Sequence, residues 1–329
     1  MYQKRTSIRK KKKGKRLFTL ILFLCLVGLG LFFLKHLISS TESKNSMQPN
    51  QKIMPENSSL PQETPMPTTT VTANAVSSLQ QAIQRALTGT YGTYGIVVKN
   101  LKTGETYTQN AETTFDSASL YKLWVMAVVY DQISQGKLSE SDTLTQDAAY
   151  LNNEFGIDTD NAEQTSGSVS TTVSDALNQM ITISDNEDAL LLTDKVGLNA
   201  ITQFLQNNGL LESKIGLSGN DPTTTPHDIV NFFELLYNDK LNNQAYTNEM
   251  ISLLKQQALN EKIPEYLPLP VVTAHKTGEL DDYSHDAGIV YGPNGDYILV
   301  VLTQSDNPIL ANERIAEVSL AVYNYFNNK

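Results

Sequence analysis

Residues 119–134 read SLYKLWVMAVVYDQIS. After the polar start, Leu120, Leu123, Trp124, Val125, Met126, Ala127, Val128 and Val129 leave no polar stripe. That pattern predicts a helix buried on every side, with the rest of a sizeable domain wrapped around it. Ser119 and Lys122 stand three residues apart and therefore share a helix face. They would meet at the helix N-terminus, where free N–H groups favour developing negative charge. A lysine is a base only when neutral, and burial together with a second nearby cation depresses its pKa. Taken alone, Ser-x-x-Lys is also what an ordinary capped helix start looks like.

Two further polar triplets follow. Ser184-Asp185-Asn186 lies between the apolar positions Ala176, Leu177, Met180, Ile181 and the run Ala189-Leu190-Leu191-Leu192. Polar groups wedged between buried runs line a cleft, cap a helix, or bear a desolvation cost. Lys276-Thr277-Gly278 closes a strand-like stretch at 271–275 and precedes Glu279-Leu280. A strand ending beside a nucleophile could offer backbone N–H groups to an oxyanion, with glycine permitting close approach. The same tripeptide at Lys102-Thr103-Gly104 reads as a plain turn, so none of the three is specific alone.

Around these motifs, helical patterning occupies 77–87, 173–207, 226–260 and 311–327. A hairpin is expected from 94–101 and 105–109, and strands at 271–275, 287–291 and 297–303, the last two joined by Pro293-Asn294-Gly295-Asp296. Strands at both ends with helices between them predict an α+β domain: an antiparallel sheet from both chain ends plus a helical lobe. It spans 76–329, long enough for a core that needs no disulfide staples. The one cysteine, Cys25, lies outside it.

The 329 residues carry a net charge of −10, which argues against a nucleic-acid binder and hides a sharp split. Residues 1–38 hold ten of the 25 basic residues and no acid, leaving 15 basic against 35 acidic residues in the remainder, a net of −20. Residues 17–34, LFTLILFLCLVGLGLFFL, make 18 uncharged positions, a helix roughly 27 Å long that matches a bilayer core. Lys35 and His36 can snorkel, extending the span to 38. The expected order is a cytoplasmic basic tail at 1–16, a single transmembrane anchor at 17–38 and an extracellular remainder. A cleaved signal peptide would have a shorter apolar core and a small-residue cleavage site. A lipoprotein would need a small residue where Leu24 precedes Cys25. Residues 39–75, polar with five prolines, read as a disordered linker.

Together and in this order, the three triplets resemble those of the class A β-lactamases and their penicillin-binding relatives. Phe115-Asp116-Ser117-Ala118 before the serine, Thr223-Thr224-Thr225-Pro226, and Asp286-Ala287-Gly288-Ile289-Val290 extend the likeness across about 77–328. The resemblance implies an α+β fold of the β-lactamase/transpeptidase type and an acyl-enzyme serine hydrolase, which the expected anchor at 17–38 would tether to the membrane facing outward. Ser119 would be the nucleophile, Lys122 its base and Ser184 a proton relay. Asn186 would position substrate, Lys276 and Thr277 would bind its carboxylate, and Gly278 would allow close approach. Backbone N–H groups of Ser119 and Glu279 would form the oxyanion hole. The substrate would be a β-lactam or the D-alanyl peptide it imitates, with no cofactor, no metal and no nucleic acid involved, and with the protein a monomer.

Two departures matter. The Glu-x-x-Leu-Asn loop of efficient penicillinases, whose Glu activates the deacylating water, has no counterpart in 209–223, GLLESKIGLSGNDPT, where Glu212 and Asp221 are the only acids. Glu279-Leu280 stands where lactamases carry a small residue and glycine, and would narrow or charge the rim. A general base is worth roughly 10²–10⁴ in rate, so slow deacylation is expected. The alternatives are a D,D-peptidase and a non-turnover wall-binding or antibiotic-sensing module. His275 should point away from Lys276 and His285 should lie in a turn. Asp158-Thr159-Asp160-Asn161 fails as a calcium loop because Glu163 occupies the required glycine position.

Overall fold

A computed structural model of the chain describes residues 78–160, 162–216 and 220–327. The expected tail, anchor 17–38 and linker 39–75 lie outside the described residues, among which no helix is long and apolar enough to cross a membrane.

Helix α1 (Leu79–Ala86) is capped by Ser78, whose hydroxyl accepts from the Gln81 N–H. Strands β1 (Thr93–Asn100) and β2 (Thr106–Gln109) form the expected hairpin. Its Lys102-Thr103 turn is held by Asn100 Oδ1, which accepts from both backbone N–H groups. At the other end of the chain lie β7 (Val272–Leu280), β8 (Tyr283–Tyr291), β9 (Tyr297–Gln304) and α9 (Pro308–Asn327). The antiparallel sheet runs β2-β1-β9-β8-β7, so residues some 200 positions apart pair at its centre.

Strand alternation sorts the core. On one face Ile96, Val98, Leu299 and Val301 pack against Leu79 and Ile83 of α1 and Ile315, Val318 and Val322 of α9. On the other face Val97, Ile298, Val300 and Leu302 join a larger cluster built on α2 (Lys122–Ser134). Every side chain from Lys122 to Tyr130 of α2 is buried, as the all-round apolar pattern requires. Around α2 sit α4 (Val173–Thr182), α5 (Asn186–Val196), α6 (Leu198–Asn207), α7 (Pro226–Tyr237) and α8 (Gln244–Lys255). The continuous helical patterns expected at 173–207 and 226–260 are thus broken, at Ile183–Asp185 and Gly197 in the first and between Tyr237 and Gln244 in the second.

Short elements that sequence patterning missed complete the fold. β3 (Phe115–Asp116) pairs with β6 (Thr223–Thr224), and β4 (Thr143–Asp147) pairs with β5 (Ser168–Thr172). Helix α3 (Ala148–Glu154) lies between β4 and β5.

The third triplet requires a correction. Lys276-Thr277-Gly278 does not end a strand: β7 continues to Leu280, and the chain turns at Asp281-Asp282 into β8. His285 is likewise no turn residue but a buried member of β8. The polar run Ser284-His285-Asp286 can lie in a buried strand because each side chain finds a partner. Ser284 donates to Asn312 Oδ1 (2.5 Å), and His285 accepts at Nδ1 from the Thr303 N–H (3.0 Å). Asp286 accepts from the Ile263 N–H (2.9 Å) and from His275 Nδ1 (2.8 Å). His275 therefore faces away from Lys276, as expected.

Replacing Asp286 by Ala would leave two buried donors unpaired, a loss of about 2–5 kcal/mol. Urea unfolding should show a midpoint well below that of the unaltered protein, and an unchanged midpoint would contradict this role.

Candidate active site

The turn that carries Ser119 is fixed from several directions. Residues Ala118–Tyr121 form one turn of 3₁₀ helix, from which α2 continues. Asp116 Oδ1 accepts from the Ala118 N–H (2.8 Å), and the Ser117 N–H donates to the Pro222 carbonyl (2.8 Å). Ala118 is held at φ 44°, a left-handed conformation costly for a residue with a side chain. His285, its Nδ1 occupied as an acceptor, donates from Nε2 to the Asp116 carbonyl (2.8 Å). Burial pushes its pKa down to about 4, so the ring is neutral and keeps this tautomer.

β7 passes close to this turn. A Cβ added at Gly278 would lie 3.2 Å from Ala118 Cβ and from the Ser117 carbonyl oxygen, and 3.3 Å from the Ser119 nitrogen. Any side chain at 278 would push the strand away from Ser119. Glycine is required here for approach and not for its backbone angles.

Lys122 is buried, and its Nζ has four oxygen neighbours. These are the Ser184 carbonyl (2.6 Å), Asn186 Oδ1 (2.7 Å), the Asp185 carbonyl (3.2 Å) and Ser184 Oγ (3.3 Å). Ser119 Oγ is not among these partners, although the serine stands one helical turn before the lysine and is half-buried. From the opposite wall the buried Lys276 donates to the same Ser184 Oγ (2.9 Å) and to the Thr277 carbonyl (3.0 Å). One hydroxyl thus bridges two amines that stand within about 6 Å of each other.

The middle triplet divides between its two expected readings. Asp185 is an ordinary N-cap, its side chain accepting from the Asp188 N–H. Ser184 and Asn186 flank it and face the amines. Ser184 adopts φ 63° to do so, a second left-handed residue with a side chain in this small region.

Electrostatics follow from burial. The Lys122 pKa falls from 10.5 to about 8 because desolvation outweighs the opposing charges of Asp185 and Glu163. Lys276 is pushed well below the usual lysine range, by burial first and then by the charge of Lys122. Glu279, expected to charge the rim, is met by Lys262. That amine, itself buried, lies 3.0 Å from Glu279 Oε1 and donates to the His285 carbonyl (3.1 Å).

All three triplets therefore converge: Lys122, Ser184, Asn186 and Lys276 by direct hydrogen bonds, Ser119 and Gly278 by backbone proximity, and Thr277 and Glu279 as neighbours on β7. Glu163, Lys262 and His285 carried no sequence signal as members of this region, since their partners lie in distant segments. Among the described residues no cluster of His, Cys, Asp and Glu is arranged to hold a metal. A separate cavity of about 600 Å³, lined in part by Leu205, Leu210, Lys214 and Thr223, includes none of the eight expected residues.

Comparison with known proteins bears on the family and the fold. Residues 78–326 match the model of the beta-lactamase enzyme family. Among solved structures, the chain is similar to a β-lactamase from Sphaerobacter thermophilus DSM 20745, with 24% identity, a TM-score of 0.66, and coverage of 76% of this chain and 96% of that one. It is similar to a mutant of PBP-A in acyl-enzyme complex with penicillin G (22% identity, TM-score 0.64, 75% of this chain and 95% of that one). The TLA-1 extended-spectrum β-lactamase matches with 20% identity and a TM-score of 0.66, over 77% of this chain and 99% of its own. At these identities the structural likeness establishes the fold: the α+β β-lactamase architecture with its five-stranded antiparallel sheet. A comparison with curated proteins found no match.

Titration of the lysine side-chain amines by NMR should place the Lys122 midpoint near 8. A midpoint at the ordinary value of 10.5 would mean that its pocket is open to water.

Proposed function

Because the chain belongs to the beta-lactamase enzyme family, we propose that it is a serine hydrolase that opens β-lactam rings through an acyl-enzyme on Ser119. The observation that carries this reading is the Ser184 hydroxyl bridging the amines of Lys122 and Lys276 beside the Ser119 turn. In its neutral form Lys122 takes the Ser119 proton as Oγ attacks the lactam carbonyl. Backbone N–H groups of Ser119 and Glu279 stabilise the oxyanion. The proton then passes through Ser184 to the lactam nitrogen as the C–N bond breaks. Lys276 and Thr277 hold the substrate carboxylate, Asn186 positions its amide, and Gly278 keeps the strand close. No cofactor takes part. The acyl-enzyme recorded for the PBP-A mutant with penicillin G supports acylation by penicillins here.

Release of the acyl group is slow in this reading, because the segment 209–223 lacks the Glu-x-x-Leu-Asn acid. A D,D-peptidase acting on D-alanyl peptides is the second reading, favoured by the same missing loop. We further propose that residues 17–38 anchor the protein in the membrane with the 76–329 domain outside, on the strength of the nine cations before residue 17.

Intact-mass spectrometry after penicillin treatment should show a persistent adduct of one penicillin, absent from Ser119→Ala. Rapid return to the unmodified mass would contradict slow release, and an adduct on Ser119→Ala would contradict the assignment. The acylation rate should rise with pH and level off above about 8, since only neutral Lys122 accepts the proton. A rate that falls over that range would overturn Lys122 as the base. Deleting residues 1–38 should move the protein from the membrane to the soluble fraction, and retention would contradict the anchor.

A further inference from the structure

We propose that Glu163 is a positioning residue for the Ser119 chemistry: its carboxylate fixes the Asn186 amide so that the amide oxygen faces Lys122. This rests on the reading of Lys122 as the base.

Asn186 Nδ2 donates to Glu163 Oε1 (2.7 Å), while Asn186 Oδ1 accepts from Lys122 Nζ (2.7 Å). A carboxylate only accepts and a side-chain amide has one donor end and one acceptor end. With Glu163 on one side, the amide therefore has a single satisfactory orientation, the one that turns its oxygen to the lysine. Without Glu163, nothing on that side of the amide prevents a flip that would aim its NH₂ at the amine.

The segment that carries Glu163 is stitched to the helices beside it. The backbone N–H of Gln164 donates to Glu187 Oε1 (2.8 Å) on α5, and the Gln164 carbonyl accepts from Asn152 Nδ2 (2.7 Å) on α3. Glu163 itself is exposed, so its replacement removes no buried contact. Its charge acts in a second way. Asp185 and Glu163 both favour protonated Lys122 against the burial that disfavours it. The other ionisable groups at this amine are Lys276 from β7 and Tyr121 from the 3₁₀ turn, and the Tyr121 hydroxyl is pushed up by burial first and by Glu163 second. Glu163 therefore orders the amide and also holds back the neutral amine.

Two substitutions separate these effects. Glu163→Gln keeps an acceptor for Asn186 and removes the charge. Its pH–rate midpoint for fluorescent-penicillin labelling should move to lower pH, with the plateau retained and the rate at pH 7 raised about two- to five-fold. Glu163→Ala removes both and should lower the plateau about tenfold. Recovery of that plateau by Gln marks positioning, which a merely structural role would not reproduce. Unchanged midpoints and plateaus in both variants would overturn the proposal, as would equal losses accompanied by a reduced Tm. If even the unaltered protein is not labelled, the hydrolase reading fails. The NMR midpoint of Lys122 then decides the Glu163 proposal independently: a downward move in Glu163→Gln sustains it and no move overturns it.

Discussion

A single hydroxyl held between two buried amines organises this molecule. Ser184 Oγ lies 3.3 Å from Lys122 Nζ and 2.9 Å from Lys276 Nζ. The first amine belongs to the central helix and the second to the edge strand of the sheet, so the contact joins the two halves of the domain. Two ammonium groups so close and so deeply buried repel each other, and burial already disfavours the charged form of each. The arrangement is tolerable only if an amine gives up its proton readily, and that is the property a proton acceptor beside a serine needs. Stability and chemistry pull in opposite directions here. The strain of Ala118 and Ser184 in left-handed conformations, of order 1–3 kcal/mol each, falls at the same place.

The surrounding fold offsets these costs by burying apolar surface on both faces of the sheet. Strand alternation gives one face to the terminal helices and the other to α2. With nine consecutive buried residues, α2 is a post enclosed on every side, and Lys122 stands at its start. The sheet side is braced by the buried polar run Ser284-His285-Asp286, whose side chains all find partners. His285 links the Thr303 N–H of β9 to the Asp116 carbonyl beside the Ser119 turn, and Asp286 ties β8 to Ile263 and His275. Removing a member of such a network costs more than the bond it makes, because its partner stays buried.

Much of this was legible in the chain. The unbroken apolar run after Lys122 announced a helix buried on all sides, and the three triplets carried the site in their order. The spacing of Ser119 and Lys122 was enough to place both at a helix start. What escaped has physical reasons. His285 looks like a turn residue because its polar partners, Thr303 and Asp116, are invisible to local patterning. The paired strands Thr143–Asp147 and Ser168–Thr172 are short and rich in serine and threonine, with too little apolar alternation to announce themselves. Glu163 sits in a segment with no periodicity at all, and only the folded chain brings it to Asn186.

The most direct measurement is a crystal structure of the protein soaked with penicillin. This account requires electron density continuous with Ser119 Oγ, and the ligand carboxylate within hydrogen-bond distance of Lys276 and Thr277. It also requires Lys122 Nζ still enclosed by Ser184 and Asn186. Density ending on another residue, or a Lys122 side chain turned out to solvent, would contradict it.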